Sequence, residues 1–163
     1  MLPLHTICIV GNMTNKELYR DFCHITTHLP IFMQDWWLDA VCAGKQWDVL
    51  LSWDEQGAIQ AALPYLLRQR AWMKYIIMPQ QTQIGGIWID EALLDNEKKV
   101  AEISLDFANQ LAEMGLSYYY QHYPIGSPIV EHMRAMQFNV KERVTYRIED
   151  LSNLDAVING FSK

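Results

Sequence analysis

Two histidines, His24 and His28, are four residues apart, a spacing at which one helix face can present two ligands to a metal ion. A metal site needs further ligands, and no acidic residue is placed in the pattern to complete one. The sequence therefore predicts that both histidines lie at the surface and that the protein binds no metal.

Alternation along residues 117–123 predicts a strand that carries Tyr118, Tyr120 and His122 on one face. Tyr119 and Gln121 then lie on the opposite face. A row of phenol and imidazole groups can face a substrate, or it can be a set of aromatic side chains that pack in the core or at the sheet edge. The sequence leaves both alternatives open.

The spacing of the remaining reactive side chains defines no catalytic arrangement of the Ser-His-Asp, Cys-His or paired-carboxylate type, because such groups meet only in the fold. Cys8, Cys23 and Cys42 form no CxxC pair. Their odd number and their apolar neighbours predict buried, reduced thiols, as in a cytosolic protein.

A basic cluster of Arg68, Arg70 and Lys74 surrounds a predicted hairpin turn. It could attract a phosphate group, and a solvated hairpin tip explains it equally well.

Composition narrows the class of protein. The chain has 163 residues, 50% of them hydrophobic, and a formal net charge of −6. This length predicts one domain with a sizeable core, and the acidic balance argues against DNA as a partner. No apolar run is long enough to span a membrane and the N-terminus lacks the features of a signal peptide, so we expect a cytoplasmic protein.

A three-strand antiparallel meander is the best-defined part of the sequence. Its strands are predicted at 47–53, 58–68 and 72–78, with a tight turn at 54–57 and a Gln/Gly-rich loop at 79–86. Trp47, Val49, Leu51 and Trp53 share one face of the first strand, and the alternation predicts that one face of the sheet is buried. Pro64 cannot donate to a ladder and so predicts an edge position or a bulge.

Helices and further strands flank this meander. A capping box at Thr14 opens a helix whose stripe runs to Leu29, before Pro30. The other predicted elements are strands at 5–10, 117–123 and 138–148, a short helix from Asp35 with Trp36, Trp37, Ala40 and Val41 as apolar positions, a helix at 97–114 closed by Gly115, and a helix with Ser127 as N-cap and Pro128 as its first residue.

The last predicted strand, 138–148, has one packed and one basic face. Glu142 falls on the packed face, so we expect it to pair with a basic neighbour or to mark a bulge.

This order of elements resembles the GNAT acyltransferase superfamily. Residues 132–138 are similar to that family's late segment of helix, Gly-Phe and strand, with Gln137 in the place of the glycine. The resemblance implies an α/β fold with a mixed, mostly antiparallel sheet and helices on both faces. Residues 1–150 would form a single GNAT-like domain, and residues 151–163 would begin a helix that leads to a missing second half.

Within the superfamily the sequence is similar to the N-terminal half of Fem-type proteins, which resemble peptidoglycan aminoacyltransferases. The similar segments are 32–41, 47–49, 62–65, 78–83 and 147–151. The resemblance implies a small-molecule or cell-wall precursor substrate and a partner that is either a second GNAT-like half or a second copy of the chain. It implies a substrate groove lined by Trp36, Trp37, Gln80, Gln81, Thr82, Gln83, Tyr118, Tyr120 and His122.

The family's acetyl-coenzyme A loop corresponds to Gln83, Gly85 and Gly86, which give the Gln-x-x-Gly part of its motif. Trp88 stands at the motif's last small position, and the next clear helix begins about ten residues later, so a phosphate would lack a close backbone and a helix N-terminus. We therefore expect no cofactor, with acetyl- or acyl-coenzyme A at these residues as the alternative.

The sequence and its resemblance lead to two alternative hypotheses about function. The chain is either one half of an acyl- or aminoacyltransferase, not catalytically complete alone, or a stand-alone binding or dimerisation module that kept the fold without the chemistry. The apolar side of the terminal helix is the candidate interface of such a module, and it consists of Leu154, Val157, Ile158 and Phe161.

Overall fold

The computed structural model describes residues 13–42, 47–143 and 152–160. The strand predicted at 5–10 and the third cysteine, Cys8, lie outside these residues. The helices are α1 (Asn15–Ile25), α2 (Asp35–Cys42), α3 (Glu97–Glu113), α4 (Ile129–Ala135) and α5 (Leu154–Gly160), and the strands are β1 (Trp47–Trp53), β2 (Ile59–Arg70), β3 (Met73–Ile77), β4 (Trp88–Ile89) and β5 (Tyr118–Tyr119). Two short 3₁₀ turns cover Ile31–Met33 and Glu91–Leu93.

The five strands form one mixed sheet in the order β1-β2-β3-β5, with β4 also paired to β2. The predicted meander is confirmed, because β1 with β2 and β2 with β3 are antiparallel. The β4 strand is antiparallel to β2, whereas β5 runs parallel to β3, with Tyr118 opposite Tyr75. The predicted strand at 117–123 is thus reduced to two residues.

Helices cover both faces of the sheet. On one face, α1 and α2 bury Tyr19 and Leu38 against Val49 of β1. On the other face, α3 and α4 bury a second core, which consists of Leu50, Ala61, Leu63, Ile76, Ile103, Phe107, Leu111, Ile129 and Met133, among others. The expected α/β fold is confirmed, with a mixed, mostly antiparallel sheet and helices on both faces. The alternation of the first strand indicated one buried face of the sheet, and helices in fact cover both faces of the meander.

A β-bulge at Gln60 turns the start of β2. Ser52 lies opposite Ala61 but Trp53 lies opposite Ile59, which leaves Gln60 as the extra residue. The Gln60 amide donates to Ser52 Oγ at 2.9 Å and to the carbonyl of Trp53 at 2.8 Å. Strict alternation along β2 would put Ile59 on the same face as Ala61, but because of the bulge Ile59 packs against the α1 core while Ala61 lies in the core on the other face.

Pro64 lies in the middle of β2, opposite Val49 of β1. On the other side of β2, β4 pairs with residues 61 and 62, whereas β3 pairs with residues 66–70. Among the described strands, none pairs with β2 between these two partners, and Pro64 lies in this short edge segment. The prediction that Pro64 occupies an edge position is therefore correct for this segment, although β2 as a whole is a central strand.

The helix ends agree with the sequence in part. Thr14 forms the predicted capping box with Glu17, and Gly115 follows α3 with φ +64°. However, α1 ends at Ile25, before Leu29, and α4 has no side-chain cap, because the Ser127 hydroxyl is buried without a hydrogen-bond partner. In α2, Trp36 and Ala40 are exposed, whereas Leu38 and Cys42 are buried and the predicted Val41 packs against the same core.

The predicted strand at 138–148 is wrong in its described part, since residues 138–143 have no strand pairing. Phe138 packs edge-on against Tyr119. Glu142 is 91% exposed and 3.8 Å from Arg134, so it is not on a packed face, although it does have a basic neighbour. Residues 144–148 lie outside the described part of the chain.

The described cysteines, Cys23 and Cys42, are free and buried, as expected. Burial raises the pKa of Cys23 to about 11. Among the described residues, no helix is long and apolar enough to cross a membrane.

Candidate functional site

The Gln/Gly-rich loop 79–86 connects the predicted groove residues, which are far apart in the sequence. At one end of the loop, Trp37 Nε1 of α2 donates to Thr82 Oγ1 at 3.0 Å. Trp37 also meets Phe32 and Trp36 edge-on, with ring centroids 5.2 and 6.0 Å apart. Trp37 is half-buried and Trp36 is 55% exposed, so the pair leaves one indole open to solvent beside the loop.

At its other end, the loop lies along the segment that follows β5. The amide of Gly85 donates to the carbonyl of His122 at 2.8 Å. His122 Nδ1 is 3.2 Å from the carbonyl oxygen of Gln83, and the His122 amide contacts Met78 Sδ at 3.3 Å. His122 is thus held by the loop through both its backbone and its ring.

One face of this segment carries the predicted row of Tyr118, Tyr120 and His122. Tyr118 stacks on Tyr120, and Tyr120 meets His122 edge-on. The Tyr120 hydroxyl lies 2.7 Å from His122 Nε2 and accepts from Arg143 at 3.2 Å. Tyr118 is 55% exposed and the other two are half-buried, so the row forms an accessible surface rather than a core.

The opposite face of the segment fills the free edge of β2. Gln121 donates to the carbonyl of Pro64 at 3.2 Å and accepts from Tyr119 at 2.7 Å. The Tyr119 hydroxyl is also bonded to that of Tyr123. Burial raises the pKa values of Tyr119 and Tyr123 well above the usual range, so both remain neutral phenols. These side chains cover the segment of the β2 edge with which no described strand pairs.

The space between this segment, the loop and α2 is nearly closed. A cavity of about 10 Å³ remains there, which is about the space of one water molecule. Its walls include Phe32, Leu38, Pro64, Thr82 and Gln121. A Cβ atom at Gly85 would lie 2.7 Å from Gln121 Nε2, so a side chain there would force Gln121 to shift.

The residues of the predicted cofactor loop are Gln83, Gly85 and Gly86, and the chain that follows them does not form a helix N-terminus. It continues into β4, where Trp88 packs edge-on against Phe22 with ring centroids 5.0 Å apart. The helix α3 begins only at Glu97, as expected from the periodicity.

The other candidates lie apart from this site. His28 follows the end of α1, so it does not share a helix face with His24, whose Nε2 is 3.8 Å from Asp35. Within the described ranges no group of three metal-ligating side chains occurs. Arg70 and Lys74 are exposed at the β2–β3 hairpin tip, as is Trp72.

Sequence reasoning does not identify Arg143 or Gln121 as part of the site. The alternation puts Arg143 on the basic face of a strand that is not formed, and Gln121 on the face opposite the aromatic row. The alternation along 117–123 is the only sequence feature that points to this site, since it correctly separates the two faces of the segment.

Comparison with known proteins finds similar structures but no similar sequence family. No family model matches the sequence, and no curated protein matches it. An aminoglycoside antibiotic 6′-N-acetyltransferase, AAC(6′)-Ih from Acinetobacter baumannii, has a similar structure with a TM-score of 0.44 and 12% identity, over 86% of this chain and 96% of that one. A proposed acetyl transferase from Pyrococcus furiosus has a TM-score of 0.42 and 10% identity, over 82% and 91%. Similarity at this level concerns the fold alone.

Proposed function

We propose that this chain is a GNAT-like half of an acyl- or aminoacyltransferase of the Fem type, which contributes a substrate-binding surface but not a complete acyl-transfer site. The connected surface of Trp36, Trp37, Thr82, Tyr120 and His122 supports this function. Its members come from three parts of the sequence. Trp37 is hydrogen-bonded to Thr82, and His122 is hydrogen-bonded to Tyr120 and to the loop carbonyl of Gln83, while Trp36 contacts Trp37 edge-on. Contacts that only stabilised the fold would not require exposed indole and phenol groups at the edge of this surface.

The contact of loop 79–86 with residues 121–123 is the observation that carries the proposal. The loop of a GNAT enzyme holds the pyrophosphate of its acyl donor with free backbone amides and a following helix N-terminus. Here the Gly85 amide is already bonded to His122, and β4 rather than a helix follows. The adjoining cavity of about 10 Å³ is far smaller than the roughly 300 Å³ or more of a typical ligand pocket. The geometry therefore disfavours coenzyme A at Gln83, Gly85 and Gly86.

The chemistry of the surface fits a peptide- or sugar-containing substrate. Trp36 and Tyr118 expose aromatic faces on which a sugar ring or a peptide plane can stack. Between them, Tyr120, His122 and the loop carbonyls provide donors and acceptors that can fix the orientation of amide and hydroxyl groups. A cell-wall precursor, which combines both kinds of group, is the substrate class that this surface supports.

Titration followed by tryptophan fluorescence and NMR shifts tests this proposal. We expect saturable binding of UDP-N-acetylmuramyl pentapeptide and no binding of acetyl-coenzyme A. Trp36→Ala should weaken precursor binding, whereas the matched control Trp53→Ala, at a partly exposed indole that ends β1, should not. Saturable micromolar binding of acetyl-coenzyme A, without any response to the precursor, would contradict the proposal.

A second candidate function, a dimerisation module, is favoured by α5. Leu154 and Ile158 lie one turn apart and are 62% and 63% exposed. Sedimentation equilibrium tests this candidate: a dimer that the double substitution Leu154→Glu and Ile158→Glu dissociates would support it. A strict monomer at high concentration would exclude it.

A further inference from the structure

The hydrogen bonds around His122 fix the role of each ring nitrogen. A carbonyl oxygen can only accept, so the contact of Nδ1 with the Gln83 carbonyl at 3.2 Å requires a proton on Nδ1. In the neutral ring, Nε2 is then an acceptor. The Tyr120 hydroxyl, 2.7 Å away, therefore donates its proton to His122.

Arg143 completes this arrangement from the other side of the phenol. Its guanidinium donates to the Tyr120 oxygen at 3.2 Å. A cation next to the oxygen can stabilise the negative charge that develops on it while the proton moves toward His122.

The result is a hydroxyl, a base that receives its proton, and a third group that orients the base. Proteins use the same arrangement to activate a weak nucleophile, and here the group that orients the base is a backbone carbonyl. Tyr120 and His122 lie on the accessible face of the segment. Gln121 and Tyr119, on the opposite face, close the sheet, so the two faces have separate roles.

We propose that Tyr120 and His122 form an acid–base relay, with Arg143 as the phenolate-stabilising group, and that the relay deprotonates the group that accepts the acyl chain. This role rests on the function proposed above. As an acceptor amine attacks the carbonyl carbon of an aminoacyl ester, its N–H proton passes to Tyr120 Oη while the Tyr120 proton moves to His122 Nε2. When the ester C–O bond breaks, His122 returns the proton through Tyr120 to the leaving hydroxyl group.

Acetylation of the protein by N-acetylimidazole tests the relay without any natural substrate. The Tyr120 oxygen would bond to the acetyl carbon, the carbon–nitrogen bond of the reagent would break, and the phenol proton would pass through His122 to the departing imidazole. Tyr118 is the internal reference, because it is more exposed than Tyr120 and stacks on it, yet it lies outside the relay. Peptide mass spectrometry measures both rates in one sample.

We expect Tyr120 to be acetylated about tenfold or more faster than Tyr118, because general-base assistance typically provides about 10²–10⁴-fold and the greater exposure of Tyr118 offsets part of it. His122→Gln should remove that advantage and leave the Tyr118 rate unchanged, and Arg143→Gln should reduce it partly. His28→Gln, at an exposed histidine outside the site, is the matched control. Equal rates at the two tyrosines in the wild-type protein would overturn the relay, even if a variant failed to fold.

A long-range ¹H–¹⁵N NMR spectrum gives a second test. We expect the neutral His122 ring to carry its proton on Nδ1; a proton mainly on Nε2 would overturn the relay. These outcomes are separable from the proposed function. Precursor binding without an activated Tyr120 would overturn the relay alone, whereas an activated Tyr120 without precursor binding would support the relay and contradict the transferase function.

Discussion

The side-chain amide of Gln121 donates to the main-chain carbonyl of Pro64 at 3.2 Å, across the free edge of β2 between its partners β3 and β4. This contact explains how a central strand accommodates a proline. The residue offers no N–H group to a neighbouring strand, and its carbonyl is satisfied by a side chain instead of a ladder. Gln121 therefore takes the place of a missing strand at the centre of the candidate site.

Gln121→Ala should destabilise the protein by about 1–3 kcal/mol, because the partly buried Pro64 carbonyl and Tyr119 hydroxyl each lose a partner. Urea unfolding measures the change. Gln56→Ala is the matched control and should be nearly neutral, since Gln56 is exposed in the turn before β2 and bonds to Asp54 through a main-chain amide that alanine keeps. An unchanged unfolding midpoint for Gln121→Ala would show that Gln121 does not close the sheet.

Gly85→Ala tests the same contact from the loop side. The added Cβ atom would lie 2.7 Å from Gln121 Nε2, so we expect a loss of about 1–3 kcal/mol from overpacking. Combining the two substitutions should cost less than the sum of their separate costs, because the truncated residue 121 makes room for the new methyl group. Gly160→Ala, with open space around its position, is the control for adding a methyl group. Additive costs would mean that the two residues do not compete for this space.

The sequence predicted the elements whose signals are local. The three meander strands, the Thr14 capping box and the 97–114 helix each depend on residues close in the chain, and all three are present. It failed where a tertiary contact overrides the local pattern. The bulge at Gln60 reverses the face of Ile59, and residues 138–143 alternate like a strand without pairing as one.

The sequence predicted individual residues of the candidate site but not the contacts that bring them together. The alternation from Tyr118 to His122 gave the two faces correctly, but no local signal joins His122 to Gln83, 39 residues away, or Trp37 to Thr82, 45 residues away. These contacts exist because the loop lies between α2 and the segment after β5, which is a property of the whole fold.

Thr82→Val should loosen loop 79–86 without creating a cavity, because valine has nearly the same shape but cannot accept the Trp37 indole proton. We expect a loss of about 1 kcal/mol, the usual net value of one hydrogen bond. Hydrogen exchange should also become faster at the Gly85 amide, which the loop holds against His122. Thr27→Val, at an exposed position, should change neither quantity. Unchanged exchange at Gly85 in Thr82→Val would show that Trp37 does not anchor the loop.

Asp39 should make stability depend on pH in the acid range. Two contacts of 2.7 Å join its carboxylate to Arg20, and Trp47 Nε1 donates to it at 2.8 Å. The hydrogen bond from Arg20 holds the pKa of Asp39 below its usual value. Because the folded state binds this proton more weakly than the unfolded state, the contribution is complete above about pH 3.9, the usual value for Asp, and is lost as the pH falls through the folded-state pKa.

Asp39→Asn should therefore lower the free energy of unfolding at pH 7 by about 1 kcal/mol, the upper end for a solvent-screened pair, and the difference from the wild type should shrink as the pH falls through the folded-state pKa of Asp39. Urea unfolding at a series of pH values measures both. Asp95→Asn, at an exposed carboxylate, corrects for the change in net charge and should follow the wild-type curve. An equal loss of unfolding free energy in acid and at neutral pH would contradict this prediction. It would mean that Asp39→Asn acts through lost packing around Trp47 and not through the ion pair with Arg20.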